Sequence, residues 1–447
     1  MDIMLILQVI VLFGAIFLGV KLGGMGIGYA GGLGVVVLAL VLGMKPGNIP
    51  WDVILIIMSV IAAITAMQMA GGLDYLVQIA EKILRKNPKY INYLAPTVTY
   101  FLTIFAGTGH TAFSMIPVIV EVAKGQNIKP AAPLSIAVVA SQIAITASPV
   151  SAAVVFMSGI LEPLGCSYPM LLAICIPTTF IGCMITSFIV STFWNLDLDK
   201  DPVYQQRLRD GLVKEVKGAE YKEVSKSAKT SVAIFLIGVL AVVFYATAIS
   251  KNVGLIDPVI LGRDHAIISF MLTIATLIII VCKVRTDTLV QSSVFKSGMV
   301  ACVCVLGVAW LGDTFVSGHI EGIKGFASDL VGKYPFLLSV ALFFASMLLY
   351  SQAATAKAII PAVILALGIT PENSGQIYIV VASFAAVSAL FVLPTYPTLL
   401  GAVQMDDTGT TRIGKYVFNH AFLVPGVLAI AIAISVALGF ILAPMML

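Results

Sequence analysis

The chain alternates long apolar runs with short polar interruptions. Runs near 3–20, 26–43, 53–70, 132–162, 168–194, 231–249, 266–283, 297–316, 376–405 and 417–446 can each supply the roughly 20 apolar residues that a bilayer-crossing helix needs, and together they predict ten spans. Two further stretches, 91–123 and 335–369, are too long for one crossing and carry polar clusters at their middles, FAGTGHTAFS and YSQAATAKA. Each predicts a re-entrant hairpin that enters the membrane, turns at the cluster and leaves on the same side. The runs 132–162 and 376–405 contain TASPVSAA and LPTYPT, and a proline there removes an amide and breaks the helix. The one strongly polar stretch, 195–229, predicts a solvated connector with some helix, too short for a catalytic domain. The expected fold is an all-α polytopic membrane protein of about ten spanning helices, two hairpins and two proline-broken helices.

The two halves echo each other. Lys89-Tyr90 recurs as Lys333-Tyr334 and Ile116-Pro117 as Ile360-Pro361, both 244 residues on, and Pro149 falls on Pro394 at 245. Repeats of this kind are common in transporters, with the binding site between them at discontinuous helices. The boundaries follow: a first repeat at 1–194, the connector at 195–229 and a second repeat at 230–447. Five crossings per half is an odd number, so the second repeat is inverted relative to the first.

Composition narrows the class. Hydrophobic residues make up 60% of the 447 and charged residues 11%, against about 45–50% and 25% in ordinary soluble domains, which excludes a soluble enzyme or a nucleic-acid binder. The six cysteines lie in or beside apolar runs without metal-type spacing and read as packing residues; no metal or other cofactor is expected. The N-terminal run lacks a basic flank and reads as a retained first helix. Charge becomes informative when sorted by side. With both termini periplasmic, twenty of the 26 Lys and Arg fall on the connector's side, five on the other, and Lys357 on neither. Positive residues favour the cytoplasmic side, so the connector 195–229 is expected there.

Irregular backbone survives at membrane depth only inside protein or around water. Four such segments are expected, at 106–111, 146–151, 351–357 and 393–398. Gly107 and Gly109 allow a tight turn with close backbone approach. Thr108, Ser148, Ser151, Ser351, Gln352, Thr355, Thr395 and Thr398 supply neutral donors, and Pro149 and Pro394 break the helices. Freed helix N-termini facing one cavity make a field suited to carboxylates. Lys357 carries a charge at membrane depth, which is expensive and points to a cavity with an anionic occupant. His110, beside the first tip, suits hydrogen bonding to a carboxylate or proton transfer. Asp313 is a second candidate proton site. Asp406, Asp407, Arg412 and Lys415 read as a cytoplasmic turn, Asn419 and His420 as caps on the last helix, and Glu121 and Lys124 as solvated. There is no Walker motif for nucleotide coupling.

The segments GGMGIGYAGGLGVVVLAL, TYFLTIFAGTGHTAFSMIPVI, AITASPVSAAVV, SQAATAKAIIPA and LPTYPTLLGAVQMDDTGTTRIGKYVFNHAFLVPG resemble the anaerobic C4-dicarboxylate transporter family, the Dcu A/B type. The resemblance runs from the first span to the last. It implies exchange of fumarate, succinate, malate and aspartate, notably fumarate/succinate antiport in anaerobic metabolism, within an ion-transporter superfamily of inverted repeats that commonly forms homodimers with an elevator-like motion. It implies substrate binding at the GTGH and SQAAT tips and interrupted helices at TASPVS and LPTYPT. Neither tip reproduces the Ser-Asn-Thr signature of sodium-coupled members. Proton-coupled uptake through His110 or Asp313 is the alternative within transport; docking of a sensor kinase on the connector or on the 406–416 turn is the alternative outside it.

Overall fold

The computed structural model describes residues 3–22, 25–49, 51–213, 223–249, 254–319, 333–349, 351–392, 396–414, 419–428 and 431–447. Among these, regular structure is helical, with only isolated bridges such as Ile128 to Asp197 in place of strands. The first half comprises α1 (Ile3–Leu22), α2 (Gly26–Val36), α3 (Trp51–Met69), α4 (Gly72–Lys86), α5 (Ile91–Ala106), α6 (Ala112–Gly125), α7 (Ala131–Ile143), α8 (Ala152–Leu161) and α9 (Tyr168–Phe193). After the connector helix α10 (Pro202–Arg209) come α11 (Lys226–Ala248), α12 (Arg263–Cys282), α13 (Ser293–Gly318), α14 (Leu337–Leu349), α15 (Gln352–Ala366), α16 (Ile377–Ser383), α17 (Pro397–Met405) and α18 (Ala431–Met446).

Among the described residues, five helical stretches are long and apolar enough to cross a membrane, 131–164 taken across its break, Tyr168–Phe193, Lys226–Ala248, Asp264–Cys282 and Val294–Phe315, with the bent pair α3 and α4 a sixth if it counts as one span. Other apolar runs appear as shorter helices, such as Ile377–Phe391 and Ile432–Met446. The outward residues of the long helices are themselves apolar: Ile237, Leu240 and Phe244 on α11, and Leu272, Ile280 and Val281 on α12. Such faces suit lipid, since water would penalise so large an apolar patch. Helix α4 differs. It bends 72° away from α3, buries Leu73, Ala80 and Leu84 and carries Glu81, Lys82, Arg85 and Lys86 on the remainder, the pattern of a helix lying along an interface.

Packing runs across the sequence midpoint. The largest core joins residues of α4 to α9 with residues of α14 to α18, among them Tyr100, Met115, Ile143, Tyr168, Phe384 and Phe391. A second core joins α3 to α11 and α12 through Met67, Phe235 and Met271, while α13 lies against α2 and α3. Each half of the chain thus contributes its later helices to the first core and its early helices to the remainder. Helices α15 and α8 touch each other, and α15 also touches α13, so the segments with polar clusters lie near the seam.

Candidate functional site

The chain turns sharply after α5. Gly107 adopts φ +65°, its amide closes the helix on Thr103 O at 2.8 Å, and a Cβ there would come within 3.0 Å of the Val150 side chain. A left-handed conformation pressed against a neighbour is available only to glycine. Gly109, His110 and Thr111 then form a single tight turn, held by a 3.0 Å contact between the Thr103 and Thr111 hydroxyls and by Thr111 donating to Thr108 O at 3.2 Å.

Between α7 and α8 the backbone leaves the helix, with Ser148 and Ser151 extended. Buried carbonyls released this way need partners, and side chains provide them. Ser148 Oγ donates to Ile104 O at 2.6 Å, which joins the break to the end of α5. Ser151 Oγ donates to Ile145 O at 2.6 Å and accepts from Val154 N at 3.2 Å, capping α8. The Tyr168 hydroxyl donates to Pro149 O. The serines expected as donors to a substrate therefore give their protons to freed carbonyls; their contribution is to hold the break open.

The second cluster differs from the irregular segment expected at 351–357. Ser351 alone stands outside the helix, capping α15 by accepting from Ala354 N at 3.2 Å, and Gln352 to Lys357 form its first turns. Alternating small and helix-favouring residues in QAATAKA are compatible with a helix once its end is capped. Thr355 Oγ1 donates back to Ser351 O at 2.8 Å. Lys357 is half-buried, with its ammonium 5.8 Å from the centre of the Phe156 ring on α8, within cation–π range. Phe156 also packs on the small cluster of Ile54, Ile61 and Cys302, so Lys357 stands where α8 and α15 meet the helices of the other core.

The second break expected from the sequence would follow the 3-10 helix Phe384–Phe391. Pro394 and Thr395 lie outside the described residues. On its near side, Val392 O accepts from His420 Nε2 at 2.8 Å, and Ala389 N donates to Ser346 Oγ at 3.1 Å. On its far side, Thr398 is fully buried in the first turn of α17.

One residue that sequence reasoning missed joins these parts. Gln142, fully buried at the end of α7, donates from Nε2 to Thr398 Oγ1 at 3.3 Å, and Gln352 Nε2 donates to Gln142 O at 3.1 Å. The tip after α5, the end of α7 and the N-termini of α15 and α17 are thereby gathered at one point. The signal was a lone amide side chain within the apolar AVVASQIAIT. Tyr168 and Phe156 were likewise missed, as aromatic residues in apolar runs carry no distinguishing pattern.

The surface turns hold a second polar assembly. Glu121 and Lys124 are not simply solvated: Arg85 bridges Glu81 and Glu121 at 2.7 Å each, and Lys124 pairs with Asp407 at 2.8 Å with little of either side chain exposed. Arg207 Nε donates to Asp407 O at 2.8 Å, and Lys129 pairs with Asp201 at 3.2 Å. Asp406 accepts from Thr408 N, Thr410 Oγ1 and Thr411 N at 2.7–3.0 Å. The sequence treats these turns as independent because their members are far apart along it. Asp313, the second candidate proton site, accepts from Asn48 N at 2.5 Å and so ties α13 to the loop before α3. His420 bonds Val392 O and does not cap the last helix.

Comparison with known proteins bears on what this arrangement handles. The family described as anaerobic C4-dicarboxylate membrane transporters, DcuA and DcuB, matches residues 4–447. The C4-dicarboxylate transporter DcuA of Wolinella succinogenes is 69% identical over 99% of this chain and 100% of its own length. DcuA of Helicobacter pylori is 68% identical over 98% of this chain and 99% of its own. Among solved structures, the YdaH transporter of Alcanivorax borkumensis superposes with a TM-score of 0.54 at 13% identity, covering 98% of both chains, a likeness of fold alone.

Proposed function

The chain belongs to the anaerobic C4-dicarboxylate membrane transporter family, and from that premise we propose that it exchanges fumarate, succinate, malate and aspartate across a bacterial inner membrane by alternating access. It is a transporter and not an enzyme, as are its relatives. The observation that carries the exchange site is the convergence on Gln142 of the first tip with the N-termini of α15 and α17. Helix N-termini carry a partial positive charge, the feature that receives carboxylates, although Ser351 caps Ala354 N on α15 and α17 begins on Pro397. Lys357, on α15 beside Phe156, adds a full positive charge next to them.

The binding region in this reading comprises Gly107 to His110, Ser148, Pro149, Ser151, Ser351, Gln352, Thr355, Lys357, Pro394, Thr395 and Thr398. The glycines shape the turn and the serines keep the first break open, while amides and Lys357 meet the carboxylates. The inverted repeats at 1–194 and 230–447, with periplasmic termini and a cytoplasmic connector, rest on the sequence match at 244–245 residues and the twenty-to-five distribution of Lys and Arg.

Counterflow in proteoliposomes tests this. Vesicles preloaded with succinate are expected to take up labelled fumarate, and empty vesicles to take up little. Lys357→Gln and Lys357→Ala are expected to abolish counterflow or release it from the internal substrate. Uptake into empty vesicles driven by an imposed pH gradient would overturn antiport, and normal exchange by both variants would remove Lys357 from the site.

A further inference from the structure

We propose that Gln142 is a positioning residue that sets the separation between the two carboxylate-receiving helix ends, and through it the chain length of diacid the site prefers. This rests on the reading above, that the region binds dicarboxylates.

A primary amide buried in an apolar core is costly unless its hydrogen-bonding groups are satisfied. Gln142 is fully buried and belongs to no surface. Its neighbours Val139, Ala140, Ile143 and Ala144 are apolar and form part of the main core. Besides a long contact of Nε2 with the neighbouring Ser141 Oγ at 3.5 Å, its polar groups meet other segments. Nε2 reaches Thr398 Oγ1, on the second residue of α17, at 3.3 Å. Gln352 Nε2, on the first residue of α15, reaches Gln142 O at 3.1 Å and Oε1 at 3.5 Å. On its remaining side a Cβ at Gly109 would come within 2.7 Å of Gln142 Nε2, so the tip after α5 rests directly on the amide.

The consequence is geometric. Helices α15 and α17 come from different places in the chain and are joined through Gln352, the main-chain carbonyl and side-chain amide of Gln142, and Thr398. A diacid that places one carboxylate at each of these helix ends must match their separation, and one methylene more or less changes the span of the ligand. Shortening the gauge by one methylene with Gln142→Asn keeps the amide chemistry and withdraws it from Thr398. Gln142→Glu keeps the length and introduces an anion beside the anionic ligand, in surroundings that raise a carboxyl pKa.

Counterflow with malonate, succinate and glutarate in proteoliposomes tests this. Gln142→Asn is expected to change the ratio of KM for succinate to KM for glutarate about tenfold, the scale of one buried hydrogen bond, with the maximal rate for the better substrate changed far less. Thr398→Val removes the partner on α17, leaves Gln142 in place and is expected to shift the ratio in the same direction, which keeps the test valid if the first variant folds poorly. Gln142→Glu is expected to raise KM for fumarate about tenfold or more at pH 8 and to recover toward the wild-type value at pH 6 as the new carboxyl is protonated. An unchanged ratio, with a uniform fall in maximal rate and no recovery at pH 6, overturns the gauge and leaves Gln142 as core packing. Wild-type protein that exchanges none of the diacids overturns the transport reading itself.

Discussion

The ion pair between Lys124 and Asp407 offers a quantitative test of how the surface turns are held. Lys124 ends α6 and Asp407 follows α17, and their side chains are only 6% and 13% exposed at a separation of 2.8 Å. At an effective dielectric constant of about 20, Coulomb's law gives the pair an attraction of about 6 kcal/mol. Desolvation offsets much of this, but removing one partner of a buried pair strands the other charge and costs about 3–5 kcal/mol. Asp407→Asn spares the Asp407 carbonyl that accepts from Arg207, which belongs to the backbone. Lys124→Met and the double variant complete a cycle. Unfolding in mixed micelles of rising dodecyl sulfate fraction, followed by tryptophan fluorescence, reads each stability. Each single variant is expected to lose about 3 kcal/mol or more, and the double variant to lose much less than their sum. Losses that add within about 0.5 kcal/mol would refute the reasoning and mean that water screens the pair.

Three further outcomes follow from local geometry. Gly107→Ala is expected to impair folding or counterflow strongly, because a side chain at φ +65° is strained and its Cβ meets Val150; yield of folded protein on size-exclusion chromatography together with counterflow checks it. Tyr168→Phe leaves Pro149 O without its donor and is expected to cost about 1–3 kcal/mol in the same micellar unfolding assay. Burial raises the Asp201 carboxyl pKa, but Lys129 and the amides of Tyr204 and Val203 lower it by more, so the net shift is downward. Its contribution to stability is therefore complete above the ordinary carboxylate value and lost as pH falls through the lower folded one. Hydrogen exchange of the amides around 198–209 is expected to stay flat from pH 8 to 5 once corrected for intrinsic rates, and protection to fall only below about pH 4.

Several features of the site are legible as local pattern. The polar cluster at 107–111 and the Ser-Pro-Val-Ser run at 148–151 stand out inside apolar sequence, and both lie where the chain departs from regular helix. The same reasoning misjudges 351–357, because a serine cap followed by small residues is as compatible with a helix start as with a loop. It also treats Glu121 and Lys124 as solvated: a charged residue at the end of an apolar run reveals nothing of a partner such as Arg85, 36 residues away, or Asp407, 283 away. Gln142 escapes notice for a related reason. One amide in an apolar run has many possible explanations until Gln352 and Thr398 are known to face it.

The sequence by itself determined the membrane class, the family and the two interruptions at 107–111 and 148–151, since hydropathy, proline and glycine act through the chain's own backbone and immediate solvent. Tertiary structure decided which groups satisfy the freed carbonyls, which charges pair, and that the two halves share their cores. Those outcomes depend on hydrogen bonds and contacts a few ångströms long between segments as much as 311 residues apart, and no local pattern encodes such distances.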